Sequence, residues 1–373
     1  MTTPTTIALL LFTILVVGAA IVASRTPVQI PMPPNGSIVD RSQSMGVTDM
    51  PSRAATDTPP TPTHPSSLPV LAESMPEFVG ITKWWNTPDG KSLTPAALKG
   101  KVVLIDFWTY SCINCIRTYP FIKSMHAKYA DKGLVIVGVH TPEFAFEAQP
   151  KNVEAEIKKN GFSHPIALDP DYATWNAYGN HYWPAEYFFD RMGRLRHTHF
   201  GEGKYDESEK VIQELLAEGS SVTLGKTGDG IVTPDFSKIK TPETYFGLAR
   251  GEAFMGTPGH RGEDVTLTAL RSVSPNKWTA DGVLRFTDEY VETRSVGALF
   301  RMSVQATKMH LVLESADATD AWLEIFVDGV KTRDLIVNRS TLYDIAEFPD
   351  AARHVVEIRI KDVGVKLYAA TFS

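Results

Sequence analysis

Cysteine is nearly absent from this sequence: only Cys112 and Cys115 occur among 373 residues. So few thiols exclude a small domain cross-linked by several disulfides, and they exclude a zinc site built from four cysteines. This cysteine usage fits an oxidising compartment with no structural disulfide beyond the one pair that these two residues could form.

Positive charge is also scarce. Lysine and arginine number 37 against 43 aspartates and glutamates, which leaves a formal net charge of −6. Because proteins that bind nucleic acids present a basic face, this balance argues against a nucleic-acid partner. Hydrophobic residues make up 43% of the chain, which excludes global disorder, and the length suggests two domains with a tail.

The long apolar run lies near the N-terminus, over Ile7–Ala23, and contains no charged side chain. Its length is at the short end of what spans a bilayer, so we predict a single membrane anchor within residues 1–24. A cleaved signal peptide is the alternative, because the small residues at 18–20 resemble a cleavage site. Arg25 follows the run and weakly opposes export, whereas the cysteine chemistry favours a periplasmic or cell-surface position.

Residues 25–76 are rich in proline, threonine and serine, as in the stretch PPTPT at 59–63. Such a composition cannot bury enough apolar area to offset the entropy lost on ordering, so the segment stays extended. As a coil it would span about 40 Å. We predict a linker that holds a folded head away from a membrane.

The middle of the chain alternates strand-like and helix-like segments. The run VVLIDFW at 102–108 has the branched and aromatic residues of a buried strand. Strand–helix alternation that ends in a hairpin and a helix predicts an α/β sheet covered by helices. Further strands are predicted at 134–139, 165–168, 185–190 and 195–200, and helices at 112–129, 151–160, 172–178 and 207–217.

The two cysteines form the motif Cys112-Ile113-Asn114-Cys115 where the first buried strand meets a helix. A thiol at a helix N-terminus faces unpaired backbone N–H groups and the positive end of the helix dipole, and both favour the thiolate. The second sulfur follows one turn later and can attack a mixed disulfide formed at the first. The spacing therefore predicts thiol–disulfide exchange in which Cys112 attacks and Cys115 resolves.

Three other interpretations of the motif stay open at this point. Half of a zinc site would need two more ligands, and His126 and His140 are available without a spacing that selects them. A structural disulfide that closes so small a loop would add little stability. A peroxidatic cysteine is suggested by Thr109, but that pattern also has a proline seven residues before the cysteine, where this chain has Ile105.

The surroundings of the motif resemble a known family. The segment DFWTYSCINC at 106–115 is similar to the thioredoxin segment D-F-W-x-x-x-C-x-x-C, and Pro120 stands where thioredoxins have a helix-kinking proline. Trp183-Pro184 precedes the AEYFF segment, where the family has its cis-proline. Residues 85–101 resemble the N-terminal hairpin of the TlpA/redoxin branch. The segments GVHTPEFAFE and HYWPAEYFFD resemble the soluble part of DipZ-type proteins more closely still.

This resemblance implies a thioredoxin-like domain over 77–222 and a carbohydrate-binding-like β domain over 242–373. The chain departs from the family in lacking its multi-helix CcdA-like membrane domain and in carrying Ile-Asn instead of Gly-Pro between the cysteines. The implied substrates are disulfide-bonded proteins, and the implied electron donor is a CcdA-type membrane protein. No organic cofactor and no metal are required.

Four residues are predicted to carry the exchange: Cys112, Cys115, Asp106 and Pro184. Asp106 lies mid-strand among apolar residues, so burial should raise its pKa and let it exchange a proton with the resolving thiol. Pro184 has no N–H, and the implied cis form would leave neighbouring main chain free to pair with a substrate strand. A structural aspartate and a trans turn proline are the alternatives. Glu143 is expected either near the disulfide or exposed on a loop.

The residues between the cysteines suggest the direction of electron flow. Ile113 and Asn114 bring no positive charge, unlike oxidants that place a histidine there. Weaker stabilisation of the thiolate means a less oxidising disulfide. We therefore predict a reductase that is recharged by a membrane electron carrier.

The C-terminal third contains strand-like runs at 283–286, 298–306, 309–315, 321–327 and 354–360. Short strands separated by turns, with a hairpin signal at Asp328-Gly329, predict a β-sandwich of jelly-roll type. The resemblance implies a sugar or cell-wall ligand, and a module that docks substrate proteins is the alternative. Four aromatic residues are suited either to stacking on sugar rings or to packing in the core: Trp278, Tyr290, Trp322 and Tyr343. The alternative function is a binding protein whose redox head is a sensor or is vestigial.

Overall fold

The computed structural model describes residues 67–218, 225, 235–316 and 319–373. The predicted membrane anchor, most of the predicted linker and most of the stretch between the two domains lie outside these residues. Within the described ranges, no helix is long and apolar enough to cross a membrane.

The first domain is an α/β unit around a six-stranded sheet. In chain order it contains β1 (Lys83–Trp85), β2 (Val102–Trp108), α1 (Ile113–Tyr129), β3 (Leu134–His140), α2 (Pro150–Asn160), β4 (Ile166–Leu168), α3 (Ala173–Ala177), β5 (Ala185–Phe189), β6 (Leu195–Phe200) and α4 (Tyr205–Ala217). The strand order is β1-β4-β3-β2-β5-β6, in which β2, β3 and β4 are parallel to one another. The predicted strand–helix alternation is confirmed, with boundaries within about two residues.

The composition of the central strand β2 explains why the sequence predicts this α/β domain. All of its residues are buried. Val102 and Leu104 pack into one hydrophobic cluster with α1 and α4, and Ile105 and Phe107 pack into another on the opposite face. A strand buried on both faces has a continuous apolar run. Asp106 has the parity of Leu104, so it faces the layer beneath α1 and α4.

The predicted N-terminal hairpin over 85–101 is wrong. Beyond β1 the segment forms no strand, and β1 itself pairs with β4. Asn86 and Asp89 have positive φ angles, and Pro88 begins a 3₁₀ turn. Such backbone cannot continue as a regular strand, so the chain crosses this side of the domain as turns.

The second domain is an antiparallel β structure. Its strands are β7 (Thr244–Tyr245), β8 (Asp264–Leu267), β9 (Trp278–Phe286), β10 (Val291–Thr293), β11 (Ala298–Gln305), β12 (Lys308–Ser315), β13 (Ala321–Val327), β14 (Val330–Val337), β15 (Thr341–Glu347), β16 (Arg353–Ile360) and β17 (Val365–Phe372). Their order is β14-β13-β16-β11-β9-β10-β17-β12-β15, with β7 beside β17 and β8 beside β9. The predicted hairpin at Asp328-Gly329 is confirmed, because it joins the paired strands β13 and β14.

These strands form one continuous, nearly barrel-like sheet, where we predicted the two separate sheets of a jelly-roll sandwich. Strand β9 changes its partners along its length. Its first residues pair with β11, and those from Gly282 onward pair with β8 and β10. Gly282 has a φ of +109°, and a Cβ there would lie 3.2 Å from the Cα of Ala298. The sheet therefore bends at a position that requires glycine. Trp278 is buried in the enclosed core and cannot stack on a sugar.

The two domains share a hydrophobic cluster. Phe144 and Phe146, which follow β3, pack against Tyr368 of β17 with ring centroids 5.0 and 4.8 Å apart. The same cluster includes Cys115 and Trp108. The β-sheet domain therefore covers part of the first domain close to the cysteine motif.

Candidate active site

The cysteine motif occupies the start of α1. Cys112 is the N-cap residue of this helix, and its Sγ accepts a hydrogen bond from the backbone N–H of Cys115 at 3.4 Å. Cys112 is half-buried, whereas Cys115 is fully buried. The first sulfur therefore combines access with the unpaired N–H groups of a helix start, which stabilise a thiolate. The second sulfur is withdrawn behind it.

The thiol of Cys115 needs a base before it can attack. Burial and the adjacent Cys112 sulfur raise its pKa well above the ordinary value. Asp106 of β2 is 4% exposed, and its Oδ1 has no hydrogen-bond partner among the described residues. Burial raises the pKa of Asp106 to about 7. This carboxyl can therefore hold or accept a proton near neutral pH.

Pro184 lies at the same end of the sheet. The Trp183–Pro184 peptide is cis, in the form that the resemblance implied. Because Phe107 of β2 pairs with Ala185 of β5, Pro184 stands beside the strand end that leads to the cysteines. The indole N–H of Trp183 donates to the carbonyl of Thr141 at 3.1 Å and fastens this segment to the loop after β3.

Glu147 is a residue of the site that sequence reasoning missed. Its buried carboxylate accepts hydrogen bonds at 2.6–3.2 Å from the N–H and the hydroxyl of Ser111 and from the N–H groups of Glu143 and Phe144. Burial and the charge of Glu143 raise the pKa of Glu147 to about 7, although the hydrogen bonds to its carboxylate lower it. Ser111 directly precedes Cys112, and we call this segment the cysteine loop. Glu147 therefore ties the cysteine loop to the loop after β3.

Glu143 lies on the loop after β3 with its side chain 11% exposed, so the alternative of an exposed loop carboxylate is wrong. Its carboxylate accepts hydrogen bonds from the hydroxyl of Tyr245 and the guanidinium of Arg250, both at 2.8 Å. Both partners belong to the β-sheet domain. The loop after β3 therefore holds the cysteine loop through Glu147 and the second domain through Glu143.

Arg117 makes a second connection that the sequence did not reveal. Its guanidinium donates to the Asn114 side chain at 2.7 Å, to Glu202 at 2.5 and 2.6 Å, and to the Ser373 hydroxyl at 2.8 Å. Asn114 lies between the cysteines, and Ser373 belongs to the second domain. The β-sheet domain therefore reaches the dipeptide between the cysteines through one side chain.

Two buried carboxyls should make the protein less stable as the pH rises from 6.5 to 8. Glu186 of β5 lies opposite Asp106, and burial followed by the charge of Asp106 raises its pKa to about 8. Groups with raised pKa values in the folded state bind extra protons there, so their stabilisation is lost as the pH passes about 7 to 8. We expect the free energy of unfolding to fall by on the order of 2 kcal/mol over this interval.

Urea unfolding at fixed pH values measures this dependence. Below pH 6.5 the buried His140 and His164 act in the opposite direction, because burial lowers the pKa of each to about 3. The double variant Asp106→Asn, Glu186→Gln should lose the share of the decline between pH 6.5 and 8 that these two carboxyls cause, and it should keep the share of Glu147 and Glu243, whose pKa values burial also raises to about 7. A decline that persists unchanged in this variant would assign it to other groups.

Comparisons with known proteins agree with this geometry. Residues 71–216 match the family model described as Redoxin, and residues 241–373 match the one described as Thioredoxin like C-terminal domain. The protein DipZ of Mycobacterium bovis is 35% identical over 301 residues, which cover 80% of this chain and 42% of DipZ. The thiol-disulfide oxidoreductase YkuV of Bacillus subtilis is 33% identical over 148 residues, which cover 40% of this chain and 97% of YkuV.

A solved structure has also been matched. The solution structure of a thioredoxin-like protein in its oxidized form is 34% identical, covers 39% of this chain and 97% of its own, and has a TM-score of 0.36. The chain thus spans less than half the length of DipZ and nearly the whole of YkuV.

Proposed function

This chain belongs to the thioredoxin-like redoxin family and is a redox enzyme, and on that basis we propose that it reduces disulfide bonds in substrate proteins outside the cytoplasm. One observation carries the proposal: an accessible sulfur at the start of α1 with a buried thiol one turn behind it. This arrangement suits attack by Cys112 and resolution by Cys115.

The reaction balances without a cofactor. The Cys112 thiolate attacks a substrate disulfide, a mixed disulfide forms, and the first substrate sulfur leaves as a thiolate. Deprotonated Cys115 then attacks the Sγ of Cys112, and the second substrate sulfur leaves. Two electrons pass from the enzyme dithiol to the substrate, and the Cys112–Cys115 disulfide remains.

Exposed aromatic rings beside Pro184 support a polypeptide substrate. Tyr182 is 43% exposed and Phe200 is 38% exposed, and their ring centroids lie 5.2 Å apart. Exposed apolar surface next to a reactive centre favours contact with an unfolded or extended chain. A substrate strand seated on Pro184 would bury these two rings.

The direction of electron flow rests on the charges around the dipeptide. Arg117 donates to Asn114, but its guanidinium also forms an ion pair with the Glu202 carboxylate, which neutralises its charge. Little net positive charge therefore stabilises the thiolate through this side chain. Equilibration with glutathione buffers, followed by alkylation of free thiols, should give a reduction potential of about −200 to −270 mV. A value near about −120 mV, as in strong oxidants, would reverse the proposed direction.

The proposed location rests on sequence features. We take residues 1–24 as the membrane anchor and 25–76 as the spacer, with domains at 77–222 and 242–373. The apolar run, the proline-rich segment and the restriction of cysteine to one pair support this arrangement. A membrane electron carrier of the CcdA type would then return the Cys112–Cys115 disulfide to the dithiol.

A second candidate function is ligand binding by the β-sheet domain. A cleft of about 700 Å³ lies between the domains and is lined by Tyr110, Tyr290 and Tyr368 among polar side chains. Of the aromatic residues suited either to sugar stacking or to core packing, Tyr290 faces this cleft, whereas Trp322 is exposed elsewhere. Binding of a sugar or protein ligand here would survive loss of Cys112, whereas disulfide reduction would not.

A further inference from the structure

Three titratable side chains stand side by side across the sheet behind the cysteines. Asp106 of β2 is paired with Glu186 of β5, and Glu186 is paired with His199 of β6. Opposite residues on neighbouring strands point to the same face, with Cβ atoms about 5 Å apart. The partner of Asp106 on β3 is Gly138, so no further side chain continues the row in that direction. We call Asp106, Glu186 and His199 the proton row.

Packing does not account for the carboxyls of this row. Asp106 and Glu186 are 4% and 2% exposed, and neither forms an ion pair within the described residues. Oδ1 of Asp106 and Nε2 of His199 are buried and have no partner among those residues, while Glu186 accepts a hydrogen bond from the Ser208 hydroxyl at 2.8 Å. Structural acids are normally paired when buried. The row therefore keeps capacity to accept protons.

The row also carries about one mobile proton near neutral pH. Burial raises the pKa of Asp106 to about 7, and burial with the neighbouring Asp106 carboxylate raises that of Glu186 to about 8. Two buried carboxyls side by side do not readily ionise together. Burial lowers the pKa of His199, so its half-buried ring is neutral and can pass a proton to water.

Other charged or titratable groups approach the row from α1, from α4 and from the loop before α4. Burial raises the pKa values of the two tyrosines among them, which stay neutral. Arg117 is paired with Glu202, and Lys204 with Glu207, so these charges largely cancel. Cys115 remains as the proton donor that faces Asp106. Among the described residues these groups are Cys112, Cys115, Arg117, Tyr119, Glu202, Lys204, Tyr205 and Glu207, together with His197 on β6 itself.

We propose that the proton row carries the proton of Cys115 to solvent, with Glu186 as a positioning residue that acts through Asp106. The inference rests on the proposed reductase function and adds the proton path of its second step. The S–H bond of Cys115 breaks, its proton moves to the Asp106 carboxylate, and the thiolate attacks the Sγ of Cys112. The Cys112–Cys115 bond forms while the bond from Cys112 to the substrate breaks, and the substrate sulfur leaves with the electron pair. Glu186 then releases its proton toward His199 and water, and the proton on Asp106 moves to Glu186, which restores the Asp106 carboxylate.

The kinetic test uses Glu186→Gln, which retains the shape of the side chain and cannot ionise. Stopped-flow release of a small thiol from a mixed disulfide preformed at Cys112 isolates the resolving step. We expect the rate at pH 7 to fall about tenfold and the pH profile between 6.5 and 8.5 to lose one of its two inflections. The rate of the first attack by Cys112 should change less than about twofold, which also shows that the site is folded. Glu186→Asp should restore both inflections.

A second histidine on β6, His197, provides a matched control for His199. His197 lies on the same strand and the same face as His199, but its partner across the sheet is Phe188. We expect His199→Gln to slow the resolving step in dilute buffer and added imidazole to restore it, whereas His197→Gln should leave the rate unchanged. Equal effects of both variants, or an unchanged rate and profile in Glu186→Gln, would overturn the proposal.

A titration that does not depend on activity separates this proposal from the reductase function. The ¹³C chemical shift of the Glu186 carboxyl gives its titration midpoint. In Asp106→Asn this midpoint should fall by at least about half a pH unit, because the neighbouring charge of Asp106 is gone. An unchanged midpoint would refute the coupling even if the wild-type protein reduces disulfides. If the wild-type protein released no thiol at all, the reductase function would fail while this titration still tested the row.

Discussion

Replacing Cys112 by serine should lower the rate of disulfide reduction by about a thousandfold or more, because a serine hydroxyl at neutral pH supplies no thiolate. Cys112 is the accessible sulfur of the pair, and its Sγ accepts a hydrogen bond from the backbone N–H of Cys115 at the start of α1. Turnover of a disulfide-containing model protein with a fixed supply of a small dithiol measures the effect. Wild-type activity in Cys112→Ser would exclude the proposed mechanism.

Cys115→Ser is the matched control at the other sulfur. This variant keeps the attacking thiol and removes the group that releases the substrate, so it should accumulate a mixed disulfide through Cys112. Non-reducing electrophoresis detects the adduct, and mass spectrometry identifies the captured protein. An adduct that also forms in Cys112→Ser would show that attack does not depend on Cys112. Ligand binding by the β-sheet domain should be equal in both variants.

Glu147→Ala should lower the free energy of unfolding by about 3 kcal/mol or more. The substitution leaves the backbone N–H groups of Ser111, Glu143 and Phe144 without their acceptor, and each unsatisfied buried group costs about 1–3 kcal/mol. Urea unfolding followed by tryptophan fluorescence measures the loss. Because Ser111 precedes Cys112, the same variant should also loosen the cysteine loop.

Two substitutions sharpen this test. Glu147→Gln keeps one carbonyl oxygen as an acceptor and should lose less stability than Glu147→Ala. Glu154→Ala removes a half-exposed carboxylate that forms ion pairs with Lys83 and Lys158, and it should have a much smaller effect. If Glu147→Ala were no more destabilising than Glu154→Ala, the four hydrogen bonds would not be what holds the two loops together.

Features within one stretch of chain were predictable. The buried run of β2, the helix that follows it and the two cysteines at their junction all come from local periodicity and spacing, so Cys112 and Cys115 were placed correctly. The burial of Asp106 followed from its apolar neighbours in the same strand. The form of the peptide before Pro184 came from the family resemblance and not from the residues themselves.

Several strands of the second domain were not predicted. Strand β14 begins with the exposed residues VKTRD at the edge of the sheet, and such a segment carries no apolar alternation to detect. Strands β15 and β17 were missed as well. The closure of these strands into one bent sheet depends on Gly282, whose role appears only when Ala298 and Ser295 lie against it.

The residues that act on the cysteines from elsewhere needed the folded chain. Glu147 reaches Ser111 across 36 residues, and Arg117 joins Glu202 and Ser373 across 85 and 256 residues. The pattern along the chain sets which residues face one side of a strand or helix, because backbone geometry repeats over a few residues. It does not set which distant elements pack together. The partners of Glu147, Arg117 and Glu186 were therefore decided by the docking of loops, strands and domains.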